Sequence, residues 1–519
     1  MIMNMKRIIV VWPMLLILAL TLLAGCASSS GSNQNSTLST DNINLIFVVS
    51  PDLANDPLGD IQPDTANLTS QGLNRSLQMA TYLKQQVLGG NNVTGIYTLA
   101  PMTHLQTANN YPDMAAILFI QQFALLNQIT IYDDASKDTY TANCFPINVS
   151  YASGSVPPGV AIPTDPVTLA SPSYCPGCTG LDFNNKKRNV NDTLGNNDTL
   201  IARIIDKPIP IPGFYVFSAP WETTIALLRR INDLYGYNLN LPTTYMGSNY
   251  VYAISIPIPP SGSASLVTYN SKLNPPASYP YSVLPAPVAS AACTNKFQPY
   301  FSTVLTNGGK VTTANTSSTI YIVRHAEAHP DPLYGFDDGN YVAAGQWRAL
   351  SLAIALEGKI SPDKVYSIDP AGIWYPNYNF SVSYIRTSLT VLPYAIANNL
   401  PFYLAAGISS GSAFKLTDAT VAQNTSDFFF THSLDGTGVN LSGQTILVAW
   451  ESGHIKPFLN ALLSSYGVAP GNLLDPVWPP EDYDTIWTVI LDAQGNLTVH
   501  NALCEGIDSG SLPATAPLF

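Results

Sequence analysis

The sequence predicts an α/β protein made of two three-layer α/β/α domains in tandem. Three observations predict it. The chain has 519 residues, more than one ordinary domain holds. Short apolar runs rich in β-branched residues alternate with helical stretches, the pattern of a largely parallel sheet covered by helices. The order of these elements also occurs twice along the chain.

The first element of each copy is a buried strand, Leu45-Ile-Phe-Val-Val49 and Thr319-Ile-Tyr-Ile-Val323. The segments that follow, 50–57 and 325–332, are displaced by 275 residues, and both end in Asp-Pro. A Gly-x-x-Arg step then opens an amphipathic helix. Gly72 and Arg75 lead into residues 76–86, and Gly345 and Arg348 lead into residues 349–356. A short strand follows at 95–98 and at 364–367, then a helix in each copy. Later strands at 214–217 and 445–448 each run into a helix, and a last strand falls at 250–256 and 485–492. An order kept over about 200 residues is far harder to obtain by chance than a single motif. The predicted domains are residues 42–275 and 293–519, joined by a Pro/Ser-rich linker at 276–292. The region 142–212, with three cysteines, reads as a loop-like insertion in the first domain.

Composition bounds the setting. Charged residues make up 11% of the chain, against about 25% for an average soluble protein. The net charge of -12 excludes nucleic acid as a partner, and makes any phosphate site a local positive island. At the N-terminus, Lys6 and Arg7 precede an apolar run from Ile8 to Leu23, followed by Ala24, Gly25 and Cys26. The run is short for a membrane span, which needs about 20 residues. It looks like a bacterial lipoprotein signal peptide covering residues 1–25, with Cys26 lipidated and residues 26–41 a flexible tether. The expected location is the cell envelope, lipid-anchored and extracytoplasmic. Ala27 rather than Asp after the cysteine points to the outer membrane of a Gram-negative source. Five further cysteines remain: Cys144, Cys175, Cys178, Cys293 and Cys504. Cys175-Pro-Gly-Cys178 lies in a Pro/Ser-rich stretch without βαβ context and reads as a structural disulfide. The odd count leaves one thiol over or paired outside the chain, and zinc is not expected because no second pair is visible.

The chemistry is concentrated in the second copy, whose first strand runs into Arg324-His325-Ala326-Glu327. Open α/β sheets bind ligands beyond the carboxyl ends of their strands. Arginine there presents a planar fork of donors that matches phosphate, and a neutral imidazole nitrogen is a competent nucleophile toward phosphorus. Together with Gly345-x-x-Arg348-Ala349, Ser383-Tyr-Ile-Arg386-Thr387 and Thr445-Ile-Leu-Val-Ala-Trp-Glu-Ser-Gly-His454, this segment resembles the histidine phosphatase (phosphoglycerate-mutase-like) superfamily. The four motifs stand in the family's order and span most of residues 319–500.

The resemblance implies two histidine-phosphatase-like domains and a metal-independent phosphatase without cofactors. His325 would carry the phosphoryl group transiently, with Arg324, Arg386 and His454 holding its oxygens and Glu327 near the substrate. The substrate would be a small phosphomonoester. Aligned without a gap, the family's second histidine falls on Glu451, and His454 lies three residues later. The reading favours His454 reaching the phosphate. Glu451, Asp427 and Asp435 are candidates for the acid, and His329 and His432 read as rim residues. In the first copy, Val49 and Ser50 stand where Arg324 and His325 do, and Asp52 stands for Glu327. That copy offers Thr103 or His104 for the second arginine, and has no histidine around 218–222. It is expected to be catalytically degenerate. Two readings of the whole remain open: an envelope phosphatase, or a non-catalytic lipoprotein that binds a phosphorylated ligand or a protein partner with the same fold.

Overall fold

The computed structural model describes residues 38–519 except 54, 56–58, 102–104, 107–110, 133–138, 143, 151–203, 206–208, 259–261, 281–299, 329–338, 371–372, 375–381, 406–418 and 433–438. The predicted signal peptide, the tether with Cys26, and His104, Cys175, Cys178, Cys293, His329 and Asp435 lie outside the described residues.

In the first half the strands are β1 (Asn42–Val49), β2 (Gly95–Leu99), the small pairs β3 (Leu105–Gln106) with β4 (Tyr111–Pro112) and β5 (Ile129–Tyr132) with β6 (Thr139–Ala142), then β7 (Ile147–Ser150), β8 (Gly213–Ala219), β9 (Tyr250–Pro257) and β10 (Ser265–Asn270). The helices among them are α1 (Ser70–Tyr82), α2 (Ala115–Leu125) and α3 (Trp221–Tyr235). The second half holds β11 (Ser318–Arg324), β12 (Lys364–Ile368), the pair β13 (Ile373–Trp374) with β14 (Val382–Ser383), then β15 (Phe402–Ala405), β16 (Thr445–Trp450), β17 (Thr485–Leu491) and β18 (Leu497–Cys504). Its helices are α4 (Ala343–Ala355), α5 (Arg386–Ala397), α6 (Ala419–Ser426) and α7 (Ser452–Ser465).

Each half builds a six-stranded mixed sheet, and the two sheets have the same strand order. The first runs β10-β9-β1-β8-β2-β7, the second β18-β17-β11-β16-β12-β15. In each, the four strands away from the terminal pair are parallel, and the terminal pair is antiparallel. The correspondence extends to single bonds. The Ser50 amide donates to the Ala219 carbonyl at 2.9 Å, and the His325 amide donates to the Trp450 carbonyl at 3.0 Å. The edge strand β7 falls inside the region read from sequence as an insertion. Four residues, Ile147–Ser150, are too short a run to mark a strand amid loop-like sequence.

Alternation along the first strands sets the layers. In β1, Ile46 and Val48 face one core, while Leu45, Phe47 and Val49 face another with Trp221, Ile225 and Leu228 of α3. In β11, Val323 faces the same core as Ile46, while Ile320 and Ile322 face α6 and α7 through Val421, Phe458 and Leu459. The buried cluster around Ile46 and Val323 draws on both halves: Leu73 and Leu77 of α1 and Phe119 and Phe123 of α2 join Leu350 of α4 and Leu389 and Leu392 of α5. The helices α1, α2, α4 and α5 therefore form a layer shared by the two sheets, and Thr37–Phe519 is one compact unit.

Polar bonds also join the two halves. Asn67 Nδ2 donates to the Leu400 carbonyl at 2.7 Å, Gln121 Nε2 to Asn340 Oδ1 at 2.8 Å, and the Val149 amide to Ser383 Oγ at 2.9 Å. The described start of the 276–292 segment is also held. The Pro276 and Ser278 carbonyls accept from Asn74 of α1, and the Tyr279 hydroxyl donates to the Leu350 carbonyl of α4. Cys144 is buried, its Sγ 3.6 Å from the Tyr341 carbonyl oxygen, and Cys504 is disulfide-bonded.

The Gly-x-x-Arg steps lie inside the helices rather than before them, because α1 begins at Ser70 and α4 at Ala343. Glycine in a helix costs about 1 kcal/mol, and here close approach requires it. A Cβ on Gly72 would lie 2.2 Å from the Asp60 carbonyl oxygen, and one on Gly345 would lie 2.7 Å from that of Glu327. The same two residues bind the arginines. Arg75 Nε donates to Asp60 Oδ2 at 2.6 Å, and Arg348 donates to Glu327 at 2.8 to 3.0 Å. Their carbonyls also accept from Thr69 and Val342, both at 2.8 Å. The counterpart of Glu327 is therefore Asp60, not Asp52. The stretch from the end of β1 to Asp60 is eight residues longer than that from the end of β11 to Glu327, so a constant offset stops short of it. Asp52 instead accepts from the Asn55 amide.

Candidate active site

The strand β11 ends at Arg324, so His325 emerges at the carboxyl edge of the sheet, held by the hydrogen bond its amide N–H donates to the Trp450 carbonyl. The ring is 2% exposed. Its Nδ1 lies 2.8 Å from the Ala326 carbonyl, which can only accept. Nδ1 therefore carries the proton, and Nε2 carries the lone pair. Burial first, then Arg386 and Arg324, hold the pKa of His325 well below its ordinary value, so the imidazole is neutral at physiological pH.

Two buried guanidinium groups converge on this ring. Arg324 is 8% exposed and Arg386 6%. Arg324 Nη1 donates to the carbonyls of Pro480 at 2.6 Å and Asp482 at 3.1 Å, and its guanidinium lies 3.8 Å from the centroid of the Tyr483 ring. Its Nε is buried and has no hydrogen-bond partner. Arg386 opens α5, where a helix N-terminus favours an anion. Its Nε donates to the Tyr384 hydroxyl at 3.1 Å. Thr390 Oγ1 ties the two segments together: it accepts from the Ala326 amide and donates to the Arg386 carbonyl. Burial lowers the Arg324 pKa, Tyr483 and Glu451 raise it, and Arg386 lowers it, which brings Arg324, Arg386 and Glu451 within electrostatic reach of one another.

Glu451 sits at the junction of β16 and α7, the position that the gapless alignment marks for a second histidine. Its Oε1 accepts from Ser452, and its Oε2 is buried without a hydrogen-bond partner. His454 is not part of this group. Its ring is fully buried, near Trp450 at 6.1 Å and Phe458 at 5.6 Å, and its Nε2 lies 3.0 Å from Thr425 Oγ1. Thr425 already donates to the Val421 carbonyl, so the His454 N–H donates to it. One helical turn past the junction carries His454 into the core beneath α7, away from the position expected for a phosphate ligand.

The Glu327 carboxylate is bonded within the protein. Arg348 lies between two carboxylates, donating to both oxygens of Glu327 and, through Nη1, to Glu505. Ser509 Oγ donates to Glu327 at 2.7 Å. Burial pushes the Glu327 carboxyl up, but Arg348 outweighs it and holds it below the usual range. Glu505, fully buried and beside Asp484, is pushed up to about 8 despite Arg348. Asp427 accepts from Gln423 and Thr431, and His432 lies 3.2 Å from Asn315. Among the described residues no group of three or more His, Cys, Asp or Glu side chains is arranged to hold a metal ion.

Sequence reasoning missed two aromatic members. Tyr384 and Tyr483 present their rings to His325 edge-on, at 6.4 and 6.2 Å. Tyr384 stands two residues before Arg386 and was available as a signal. Tyr483 arrives from a segment about 160 residues away in sequence, and no local pattern points to it. In the first half, Val49 and Ser50 occupy the places of Arg324 and His325 by their pairing with β8.

No protein-family model matches the sequence, and no curated protein matches it. Among solved structures the chain is similar to the protein histidine phosphatase SixA complexed with tungstate, at 17% identity over 36% of this chain and 97% of that one, with a TM-score of 0.22. It is similar to the mycobacterial glucosyl-3-phosphoglycerate phosphatase Rv2419c at 13% identity, over 36% of this chain and 97% of that one, with a TM-score of 0.24. It is also similar to Bacillus stearothermophilus YhfR at 13% identity, over 36% and 96%, with a TM-score of 0.24. These likenesses are low in both identity and TM-score, and the functional reading rests on the geometry of the site.

Proposed function

We propose that this chain is an envelope phosphatase that hydrolyses small phosphomonoesters through a phosphohistidine at His325. In this reading both halves have a histidine-phosphatase-like fold, the first half is inactive, and a lipid on Cys26 anchors the protein. One observation carries it: two buried, like-charged arginines converge on a neutral histidine, and Arg324 Nε has no acceptor. Like charges gathered in low dielectric are stabilised by an anion that joins them.

The reaction follows from the placement. The phosphoryl oxygens lie against Arg324 and Arg386, and the Nε2 lone pair of His325 attacks phosphorus as the ester oxygen leaves. Water then attacks the phosphohistidine, the phosphorus–nitrogen bond breaks, and its electron pair returns to Nε2. Phosphoryl transfer of this kind depends on positioning and charge stabilisation. The first half has neither the nucleophile nor the arginine at the matching strand end.

A second reading, phosphate binding without turnover, is favoured by the Glu451 carboxyl beside Arg324. The discriminating experiment is hydrolysis of an aryl phosphate by the full-length protein, with acid-labile phosphohistidine trapped in rapid-quench samples. Loss of both signals in His325→Ala supports the phosphatase. Turnover that survives His325→Ala refutes it, and tungstate binding without turnover favours the second reading. Anchoring is tested separately, since Cys26→Ser should release the protein from the membrane fraction.

A further inference from the structure

The site as described has a nucleophile and two anion-binding arginines, but a phosphomonoester also needs a proton for its leaving oxygen. The described carboxyl groups around it are mostly engaged. Glu327 and Glu505 are bound by Arg348, and Asp482 accepts from the Asp484 and Thr485 amides and the Thr485 hydroxyl. Glu451 differs. It follows Trp450, whose carbonyl holds the His325 amide, so its backbone lies beside the nucleophile at the carboxyl edge of the sheet. One carboxyl oxygen is fixed by Ser452, and the other is buried with no protein partner. Gly453 keeps the space beside it open, since a Cβ there would lie 3.2 Å from Oε2. A buried carboxyl oxygen without a partner is costly unless something else meets it.

We propose that Glu451 is the proton-transfer residue of this site, an inference that rests on the phosphatase reading above. Its protonated Oε2 gives the proton to the ester oxygen as His325 Nε2 bonds to phosphorus and the phosphorus–oxygen bond breaks. The resulting carboxylate takes the proton of the water that attacks the phosphohistidine. Inorganic phosphate leaves, the imidazole regains its lone pair, and Glu451 is protonated again, so the cycle closes without an outside donor.

The test uses the full-length protein, Glu451→Gln and Glu451→Asp, with nitrophenyl phosphate and an alkyl phosphate. Nitrophenolate leaves without help, whereas an alkoxide does not. Glu451→Gln should lose about a hundredfold or more of kcat/KM on the alkyl phosphate, the usual contribution of general acid catalysis. On nitrophenyl phosphate it should release one nitrophenol per site in a burst and then turn over slowly, because the second step lacks its base. Glu451→Asp, which keeps the acid, should recover part of the alkyl phosphate activity. Equal losses on both substrates without a burst, or no loss on either, would overturn the role of Glu451. Nitrophenyl phosphate turnover that survives His325→Ala, or its absence in the wild type, overturns the phosphatase reading itself.

Discussion

Replacing Arg348 by Met removes one charge from the most buried ion network described in the protein and keeps most of the side chain's volume. Arg348 is fully buried between Glu327 and Glu505, and its Nη2 also reaches the Ile507 carbonyl at 3.0 Å. The two carboxyls do not contribute equally to the loss. Glu505, pushed up to about 8, is largely neutral at pH 7. Glu327 is the charge left stranded. Stranding one charge of a buried pair costs about 3–5 kcal/mol, equivalent to an unfolding constant raised by a factor of roughly a hundred to several thousand. The loss depends on pH. In the wild type Glu327 is held low, so its contribution is present above its unfolded value of 4.5 and lost as pH falls through its lower folded pKa. Without Arg348, burial dominates and Glu327 takes up its proton at higher pH. The penalty of Arg348→Met should therefore be full at about pH 8 and shrink toward about pH 5. Adding Glu327→Gln to Arg348→Met should return most of the lost stability. Urea midpoints followed by tryptophan fluorescence measure all of this. A loss below about 1 kcal/mol at the higher pH, or one that does not change with pH, would refute the reasoning.

Other outcomes follow from the same geometry. Glu505 has a folded pKa raised to about 8 from 4.5, so its neutral form contributes stability fully below 4.5, and this is lost as pH rises through about 8. Glu505→Gln should gain on the wild type across that window, and parallel urea curves would rule the assignment out. Gly345→Ala places a methyl against the Glu327 carbonyl and the Tyr341 Cβ, both at 2.7 Å, and should cost about 1–3 kcal/mol by thermal unfolding. A well-tolerated alanine there would mean that α4 and the Glu327 loop are not locked together. His454→Ala should destabilise by about 3 kcal/mol through lost core packing, yet leave KM and kcat on an aryl phosphate within about threefold. A folded His454→Ala protein without activity would return that residue to the site.

Two sequence readings differ from the observed placements for physical reasons. The sequence points to His454 because it is the nearest histidine to the gapless position. It lies on the face of α7 that also carries Ile455, Phe458, Leu459 and Leu462, all fully buried. Its four-residue spacing from Phe458 was the available sign that it belongs to the apolar stripe. Asp52 was paired with Glu327 because an offset is constant only until a loop changes length. The residue that does the work, Asp60, is defined by what contacts it: the glycine of α1 against its carbonyl and the arginine of α1 on its carboxylate.

By itself the sequence determined the strands β1, β2, β8 and β9 and their later counterparts, because buried strands are written as short apolar runs whose alternation needs no distant partner. It also marked Arg324, His325 and Arg386, since each stands at an element's end where local pattern locates it. Only the tertiary structure decided that α1, α2, α4 and α5 form one layer between the sheets, because either helix pair alone reads as an ordinary amphipathic cover. Only it brought Tyr483 onto Arg324, left Glu451 Oε2 buried without a hydrogen-bond partner and turned His454 into the core. Those contacts join residues more than a hundred positions apart or depend on how far a helix has turned. Side-chain spacing along the chain records neither.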